Sequence, residues 1–197
     1  MLAQKLAGLF ARLDLLQQKS SISCCAHYLC LLCKAHLGIN KTPSTEERVG
    51  RKGLLDRLPT RSRLASWGLQ IDTCCCVCNN YHETRDHIFL RCAYAEQIWK
   101  IVIRRLGYIP ILFHTWEAFL TWIGLKVSHC PSTLRKVTAQ AVIYRLWRER
   151  NNRLHNGIQT PPEVSFKEID RQVRNEILAR KHRHTFQNLM SIWLTYE

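Results

Sequence analysis

The chain has 197 residues, of which 46% are apolar, and a formal net charge of +14. This apolar fraction is enough to bury a core in one ordinary domain or two small ones, so the composition excludes a disordered chain. The basic excess favours a polyanionic partner, because every phosphate that a Lys or Arg neutralises releases condensed counterions. A charge that only keeps the protein in solution is the alternative explanation.

The first 47 residues are predicted to form a helical extension of unclear origin. Apolar residues at three- and four-residue steps predict an amphipathic helix over residues 2–18, and a second apolar helix follows at about residues 23–37. Residues 38–50 contain Asn40, Pro43 and Ser44 without apolar periodicity, so we place a domain boundary near residue 48. The first 25 residues show only a weak organelle-targeting pattern, so we do not expect targeting. The longest apolar run, residues 26–32, is too short to cross a membrane, so we expect no membrane association.

The ten cysteines fall in clusters, an arrangement that favours metal binding over disulfides. Adjacent cysteines are hard to pair with each other, and no secretory signal places the chain in an oxidising compartment. We therefore expect an intracellular protein, nuclear or cytoplasmic. Cys30 and Cys33, with flanking histidines, are a candidate metal site, but they lie in an apolar helical pattern where cysteine behaves as a small hydrophobe.

A strongly basic stretch, residues 48–63, leads into a short predicted helix. Thr60 follows a proline and is a suitable N-cap for a helix that begins at Arg61. This helix is predicted to end at Trp67, because Gly68 follows it.

Four residues beyond this helix have the types and spacing of a zinc site. Cys75 and Cys78 form a C-x-x-C pair, which lets two thiolates from one tight turn bind the same ion. His87 and Cys92 complete a set of four ligands. Because zinc prefers thiolate and imidazole ligands, and a closed four-ligand site leaves no position for an activated water, we predict one structural Zn²⁺.

The cysteines next to this pair leave the register of the turn open. Cys74 or Cys76 would replace Cys75 as a ligand if the turn adopted another register. His82 lies between the two ligand pairs, and we expect its side chain to face solvent.

The remainder of the chain has helical periodicity. Ala95, Ile98 and Trp99 begin a helical face that should pack on the metal site, and residues 116–123 form a further face. The longest predicted helix runs from about residue 134 to residue 155 and ends at Gly157. A last helix follows residues 161–162. The sequence thus predicts a mainly α fold, in which helices flank a small irregular Cys-Cys-His-Cys module.

These motifs together resemble the zinc-binding domain that follows reverse transcriptases in plant non-LTR (LINE-type) retrotransposons. The likeness covers about residues 52–105 and is carried by Leu58, Pro59, Thr60, Arg61, Cys75, Cys78, Glu83, Thr84, His87, Phe89, Cys92 and Trp99. A weaker likeness extends to the helical segment at residues 141–152. The resemblance implies a zinc-binding domain at residues 48–108, a basic helical region at residues 109–197, and an origin as a detached C-terminal fragment.

The sequence lacks the motifs of the family's enzymes. It contains no Asp-Asp pair, which the polymerase needs to hold two metal ions. The remaining acids are few and scattered, so we expect neither an endonuclease nor a ribonuclease H.

We expect the module to bind RNA or DNA. The arginines predicted to face phosphates are Arg57, Arg61, Arg63, Arg85, Arg91, Arg104 and Arg105. Trp67 and Tyr81 are predicted to stack on unpaired bases, whereas Trp99 is expected in the core. The alternative is a zinc-stabilised protein-interaction domain that docks a partner through its C-terminal helices, with the interface at Arg145, Trp147, Arg148 and Arg150.

Overall fold

The computed structural model describes residues 58–196, and this part of the chain is mainly α-helical, as predicted. Within it, the one β-type contact is an isolated antiparallel bridge between Cys74 and His82. The predicted N-terminal extension, the candidate site at Cys30 and Cys33, and Arg57 lie outside the described residues.

Helices occupy most of residues 58–196. They are α1 (Arg61–Ser66), α2 (Ala93–Arg105), α3 (Trp116–Gly124), α4 (Ser132–Asn156), α5 (Pro162–Ala179) and α6 (Leu189–Leu194). A π-helical turn, His87–Arg91, precedes α2, and a 3-10 turn, His184–Phe186, precedes α6. No helix in this part of the chain is long and apolar enough to cross a membrane.

Helix α1 forms where the sequence predicted it, but a different group caps it. Thr60 occupies the N-cap position without a side-chain hydrogen bond. The Arg61 N–H donates instead to Glu83 Oε1 over 3.0 Å. Gly68 follows the helix with a φ of +86°, the left-handed conformation that commonly ends helices. A carboxylate from further along the chain therefore caps α1.

Helices α2 and α3 build an aromatic core next to the cysteine cluster. Ile98 and Trp99 on α2 are buried, as predicted. The Trp99 indole N–H donates to the Phe89 carbonyl over 2.7 Å, and its ring centroid lies 5.3 Å from that of Phe119 in an edge-to-face contact. The π-helical turn, α2 and α3 therefore share one core.

Helix α4 is the central element of the fold. It contacts the π-helical turn, α2, α3 and α5. It begins directly after Pro131 and ends at Gly157, whose φ is +65°, close to the predicted bounds. A helix that has neighbours on several sides must bury more than one face, which explains why its apolar residues do not form a single stripe.

Two arginines of α4 were predicted on a surface, and the structure shows that this prediction is wrong. Arg145 and Arg150 each have 3% of their surface exposed. Arg145 pairs with Glu149 over 3.4 Å, and Arg150 pairs with Glu83 over 2.8 Å. Buried cations require such partners, so these side chains belong to the interior.

The C-terminal helices close the fold over α2. Helix α5, which forms where a last helix was predicted, buries Ile169, Val173 and Ile177. Helix α6 was not predicted. Its Trp193 is buried and donates an indole N–H to Asp170 Oδ1 over 2.8 Å. Arg105 donates to the Trp193 carbonyl over 2.9 Å and pairs with Asp170 over 3.3 Å, so its predicted role at a phosphate-facing surface is wrong.

Candidate metal centre

The four residues predicted as zinc ligands lie together in the structure. The ligand atoms of Cys75, Cys78, His87 and Cys92 all lie within 4.8 Å of one another. Cys78 Sγ is 3.2 Å from His87 Nε2. The ligands of a tetrahedral zinc ion are separated by about 3.5–3.8 Å, given metal–ligand distances of roughly 2.0–2.3 Å. The four atoms therefore lie close enough together for one such ion to bind all of them after small shifts of the side chains.

A tight turn at residues 75–79 positions the first two ligands. The Asn79 N–H donates to the Cys75 carbonyl over 2.8 Å, and Asn79 has a φ of +56°, which Asn tolerates better than most residues. The Val77 N–H points at Cys75 Sγ over 3.4 Å. The Cys75 N–H donates in turn to the Tyr81 carbonyl over 2.7 Å. We call residues 74–82, which close on themselves through these bonds, the knuckle.

The π-helical turn positions the other two ligands. The Cys92 N–H donates to the His87 carbonyl over 2.7 Å, a bond that spans five residues and forms a wider turn than an α-helix has. Thr84 Oγ1 accepts from the His87 N–H over 3.1 Å. The residues between the two ligands include Ile88 and Phe89, which are buried and anchor the turn in the core.

The thiols of the cluster share a proton that a bound metal ion would displace. A hydrogen bond from Cys92 lowers the pKa of Cys75 to about 3, with smaller contributions from His87 and from backbone N–H groups. The same bond raises the pKa of Cys92, because the Cys92 thiol keeps the proton that the two sulfurs share. Zn²⁺ binds thiolates, so an ion in this cluster would replace that proton.

The knuckle places the two competing cysteines outside the cluster. The Cys76 thiol donates to Glu83 Oε2 over 3.4 Å and faces the Arg150 carbonyl at 3.6 Å. Burial, followed by the nearby Glu83 charge, raises the pKa of Cys76 to about 12. Cys74 is engaged in the bridge with His82, whose side chain is exposed, as predicted. Of these three neighbouring cysteines, only Cys75 has its sulfur in the cluster.

Comparison with known protein families agrees with this geometry. Residues 48–99 match the family model described as zinc-binding in reverse transcriptase. No curated protein and no solved structure matches the chain. Three thiols and one imidazole are donors that Zn²⁺ prefers, so the residues present fit the metal that the family name implies. We call residues 48–99 the zinc-binding segment.

Glu83 joins the zinc-binding segment to helix α4, a role that the sequence pattern did not predict. Its carboxylate is fully buried. It accepts from Arg150 over 2.8 Å and from the Arg61 N–H over 3.0 Å. A second link is Arg153, which donates to the Val77 carbonyl over 2.9 Å. The available signal was that Glu83 is one of only two acids, with Asp86, between the two ligand pairs of a very basic chain.

The arginines predicted to face phosphates differ widely in their surroundings. Arg91 and Arg104 are exposed. Arg61 is half-buried and donates to the Cys74 carbonyl over 2.8 Å. Arg63 is half-buried, with its guanidinium 5.4 Å from the Trp67 ring.

Arg85 is tied to its neighbours more closely. It pairs with Asp86 over 2.9 Å and lies 4.7 Å from the ring of Trp116. Trp67 and Tyr81, the predicted stacking residues, have 61% and 67% of their surfaces exposed, whereas Trp99 is in the core, as expected. The exposed arginines and aromatics, and not the whole predicted set, remain available to a ligand.

Proposed function

We propose that Cys75, Cys78, His87 and Cys92 hold one structural Zn²⁺ that fixes the fold of the zinc-binding segment. The observation that carries this proposal is the convergence of the four ligand atoms within 4.8 Å. A set of four protein ligands leaves no coordination position for a reactive water, so the site has a structural and not a catalytic role. The buried π-helical turn, His87–Arg91, positions two of these ligands, His87 and Cys92.

The zinc-stabilised surface binds the backbone of RNA or DNA in this proposal. The net charge of +14 supports it, as do the exposed Arg91 and Arg104. The exposed rings of Trp67 and Tyr81 supply flat surfaces that suit unpaired bases. The likeness to plant non-LTR retrotransposon sequences supports an origin in such an element.

The proposal includes an intracellular location, nuclear or cytoplasmic. All six cysteines in the described part of the chain are free thiols. Thiolate ligands need a reducing compartment, because oxidation to disulfides would remove them from the metal.

The salt dependence of binding tests the nucleic-acid function. Zinc-loaded protein is titrated with labelled RNA and DNA at several salt concentrations, beside the double variant Arg91→Ala/Arg104→Ala. If both side chains contact phosphates, the slope of log affinity against log salt becomes shallower by about 1.5 in the variant. Lys126→Ala, an exposed basic residue outside the predicted set, is the matched control. A salt-independent affinity would contradict phosphate binding.

A protein-interaction function is the second candidate, and an apolar loop favours it. Ile109, Ile111 and Leu112 have 86%, 40% and 37% of their surfaces exposed directly before α3. Exposed apolar residues that are close in sequence are typical of protein interfaces. The interface predicted on α4 loses most of its support, because two of its three arginines, Arg145 and Arg150, are buried. Only Arg148 is exposed among these arginines. Binding of a protein partner that does not weaken with salt, and that the substitution Ile109→Ser abolishes, would favour this function.

A further inference from the structure

A groove of about 440 Å³ opens beside the candidate metal centre. Its walls come from three parts of the chain. The knuckle contributes Val77 and Asn80, the first turns of α2 contribute Ala93 and Gln97, and the loop between α4 and α5 contributes residues 159–162. The groove has the dimensions of a small-ligand site.

The floor of the groove is fixed by part-buried polar contacts. Arg153 donates to Glu149 over 2.8 Å and lies 4.8 Å from the ring of Tyr94. The Tyr94 hydroxyl donates to the Thr160 carbonyl over 2.9 Å, and the Thr160 N–H donates to Glu149 over 2.8 Å. Burial alone would raise the pKa of Glu149, but its bonds to Thr160 and Arg153 lower that pKa below its usual range, so the carboxylate stays charged. This side of the groove is therefore held in place by contacts within the protein.

The rim of the groove carries amide side chains that do not stabilise the fold through hydrogen bonds. Asn80, Gln97 and Gln159 are exposed, and none of these three side chains makes a hydrogen bond to another described residue. Each amide offers two donors and one acceptor. Between them lie the apolar surfaces of Val77 and Pro161. Flat apolar walls with amides at the edge suit a heteroaromatic ring whose edge carries both donors and acceptors, as a nucleobase does.

A basic track leads away from the groove along α2. Gln97, Lys100 and Arg104 follow one another at helical spacing on the exposed face of this helix. They extend over roughly 10 Å of helix. In the described part of the chain, neither Lys100 nor Arg104 has an ion pair. Their charges are free to meet the phosphates of a strand whose base lies in the groove.

We infer that the groove takes one unpaired base of a single-stranded nucleic acid, whose phosphates continue along Lys100 and Arg104. This inference rests on the nucleic-acid function proposed above and specifies it. A base in a duplex is paired and stacked, and it would have to leave the stack before it entered the groove. The chain therefore prefers single strands to duplexes of the same sequence.

The test compares single-stranded and duplex RNA of one mixed sequence, each labelled, in fluorescence-anisotropy titrations with the zinc-loaded full chain. The variant Gln97→Ala/Gln159→Ala removes two rim amides that are not among the metal ligands. It is expected to bind the single strand about fivefold or more weakly, because a well-placed amide pair on a base edge is worth that much discrimination. Its affinity for the duplex should be unchanged. Lys100→Ala/Arg104→Ala should weaken the binding of both.

Asn175→Ala, which removes an exposed amide on α5, is the matched control and should bind like the parent. Zinc content and circular dichroism of each variant establish that the fold is kept. Equal affinity of the parent for single strand and duplex, or an unchanged affinity of the amide variant, would overturn the groove site while the phosphate-binding function stands. A parent that binds neither RNA at low salt would overturn both proposals.

Discussion

Glu83 shows how a single buried charge can connect two parts of this fold. Its carboxylate caps α1 through the Arg61 N–H and pairs with Arg150 of α4. Both members of the ion pair are almost completely buried, with side-chain exposures of 0% and 4%. Removing one partner from such a pair leaves the other charge buried without compensation, which typically costs about 3–5 kcal/mol.

Glu83→Gln should therefore lower the free energy of unfolding of the zinc-loaded protein by about 3 kcal/mol. The measurement is urea unfolding followed by circular dichroism. Asp72→Asn is the matched control, because Asp72 pairs with Arg61 but has 73% of its side chain exposed, and its loss should cost less than about 1 kcal/mol. Equal effects of the two substitutions would contradict the structural role of Glu83.

The proton shared by Cys75 and Cys92 makes metal affinity depend on pH. Cys92 has a raised pKa and holds this proton across the neutral range, so zinc must displace it whenever it binds. Affinity for Zn²⁺ should thus fall steadily as the pH is lowered from 8 to 5, measured by competition with a chromophoric chelator. The competitor's own pH dependence is calibrated without protein. A pH-independent affinity would count against thiolate ligation.

At the scale of elements, the end of α2 depends on a glycine. Gly107 has a φ of +79°, and a Cβ at this position would lie 2.5 Å from Cε2 of Tyr196. A non-glycine residue in this conformation costs about 1–3 kcal/mol before the clash is counted. The C-terminal residues therefore pack where only glycine leaves room.

Gly107→Ala should lower the melting temperature by several degrees, because a loss of about 1–3 kcal/mol in the free energy of unfolding has that effect in a domain of this size. Gly124→Ala is the control, because Gly124 is helical and a Cβ there has no neighbour within 4 Å. It should leave the melting temperature unchanged or raise it slightly. An unchanged melting temperature for Gly107→Ala would show that Tyr196 does not pack against Gly107 as described.

The long elements were predictable from the sequence, whereas the pairing of charges was not. Helices α2 and α5 have clear apolar periodicity, and α4 is bounded by Pro131 and Gly157. Helix α6 was missed because six residues are too few to establish a period. Arg105 was expected at the surface, because only the tertiary fold brings Asp170 to it.

The types and the spacing of the metal ligands could also be predicted from the sequence. Which cysteine of the turn faces the cluster could not be predicted. Cys74, Cys75 and Cys76 are consecutive, and spacing alone does not separate them. The separation comes from contacts that only the fold makes, because the Cys76 thiol turns towards Glu83 and Arg150.

At the scale of the whole molecule, the cysteine cluster and the C-terminal helices share one core. Buried residues of the knuckle, the π-helical turn and all helices from α2 to α6 belong to a single apolar cluster. Residues on both sides of the predicted boundary at 108/109 contribute to it, including Trp99 and Phe119. Disturbance of the metal centre should therefore reach α4 through Glu83 and Arg153.

Removal of the metal with a chelator should loosen the knuckle first. Hydrogen exchange should lose protection at residues 70–95, because zinc contributes more free energy to such a module than a typical domain has in total. Protection against exchange in the last turns of α4 should fall at the same time, whereas protection in the first turns of α4 should change less. Addition of Zn²⁺ should restore the original pattern. Unchanged protection at residues 70–95 would contradict a structural metal.

The most direct measurement is the zinc content of protein purified without chelator, determined by elemental analysis. The parent should contain one zinc per chain, and Cys78→Ser and His87→Ala should lose it, because each removes one of the four ligands. Cys76→Ser should keep its zinc, because its sulfur faces Glu83 and not the cluster. A folded parent without zinc, or a Cys76→Ser variant that alone loses the metal, would contradict a structural zinc site at Cys75, Cys78, His87 and Cys92.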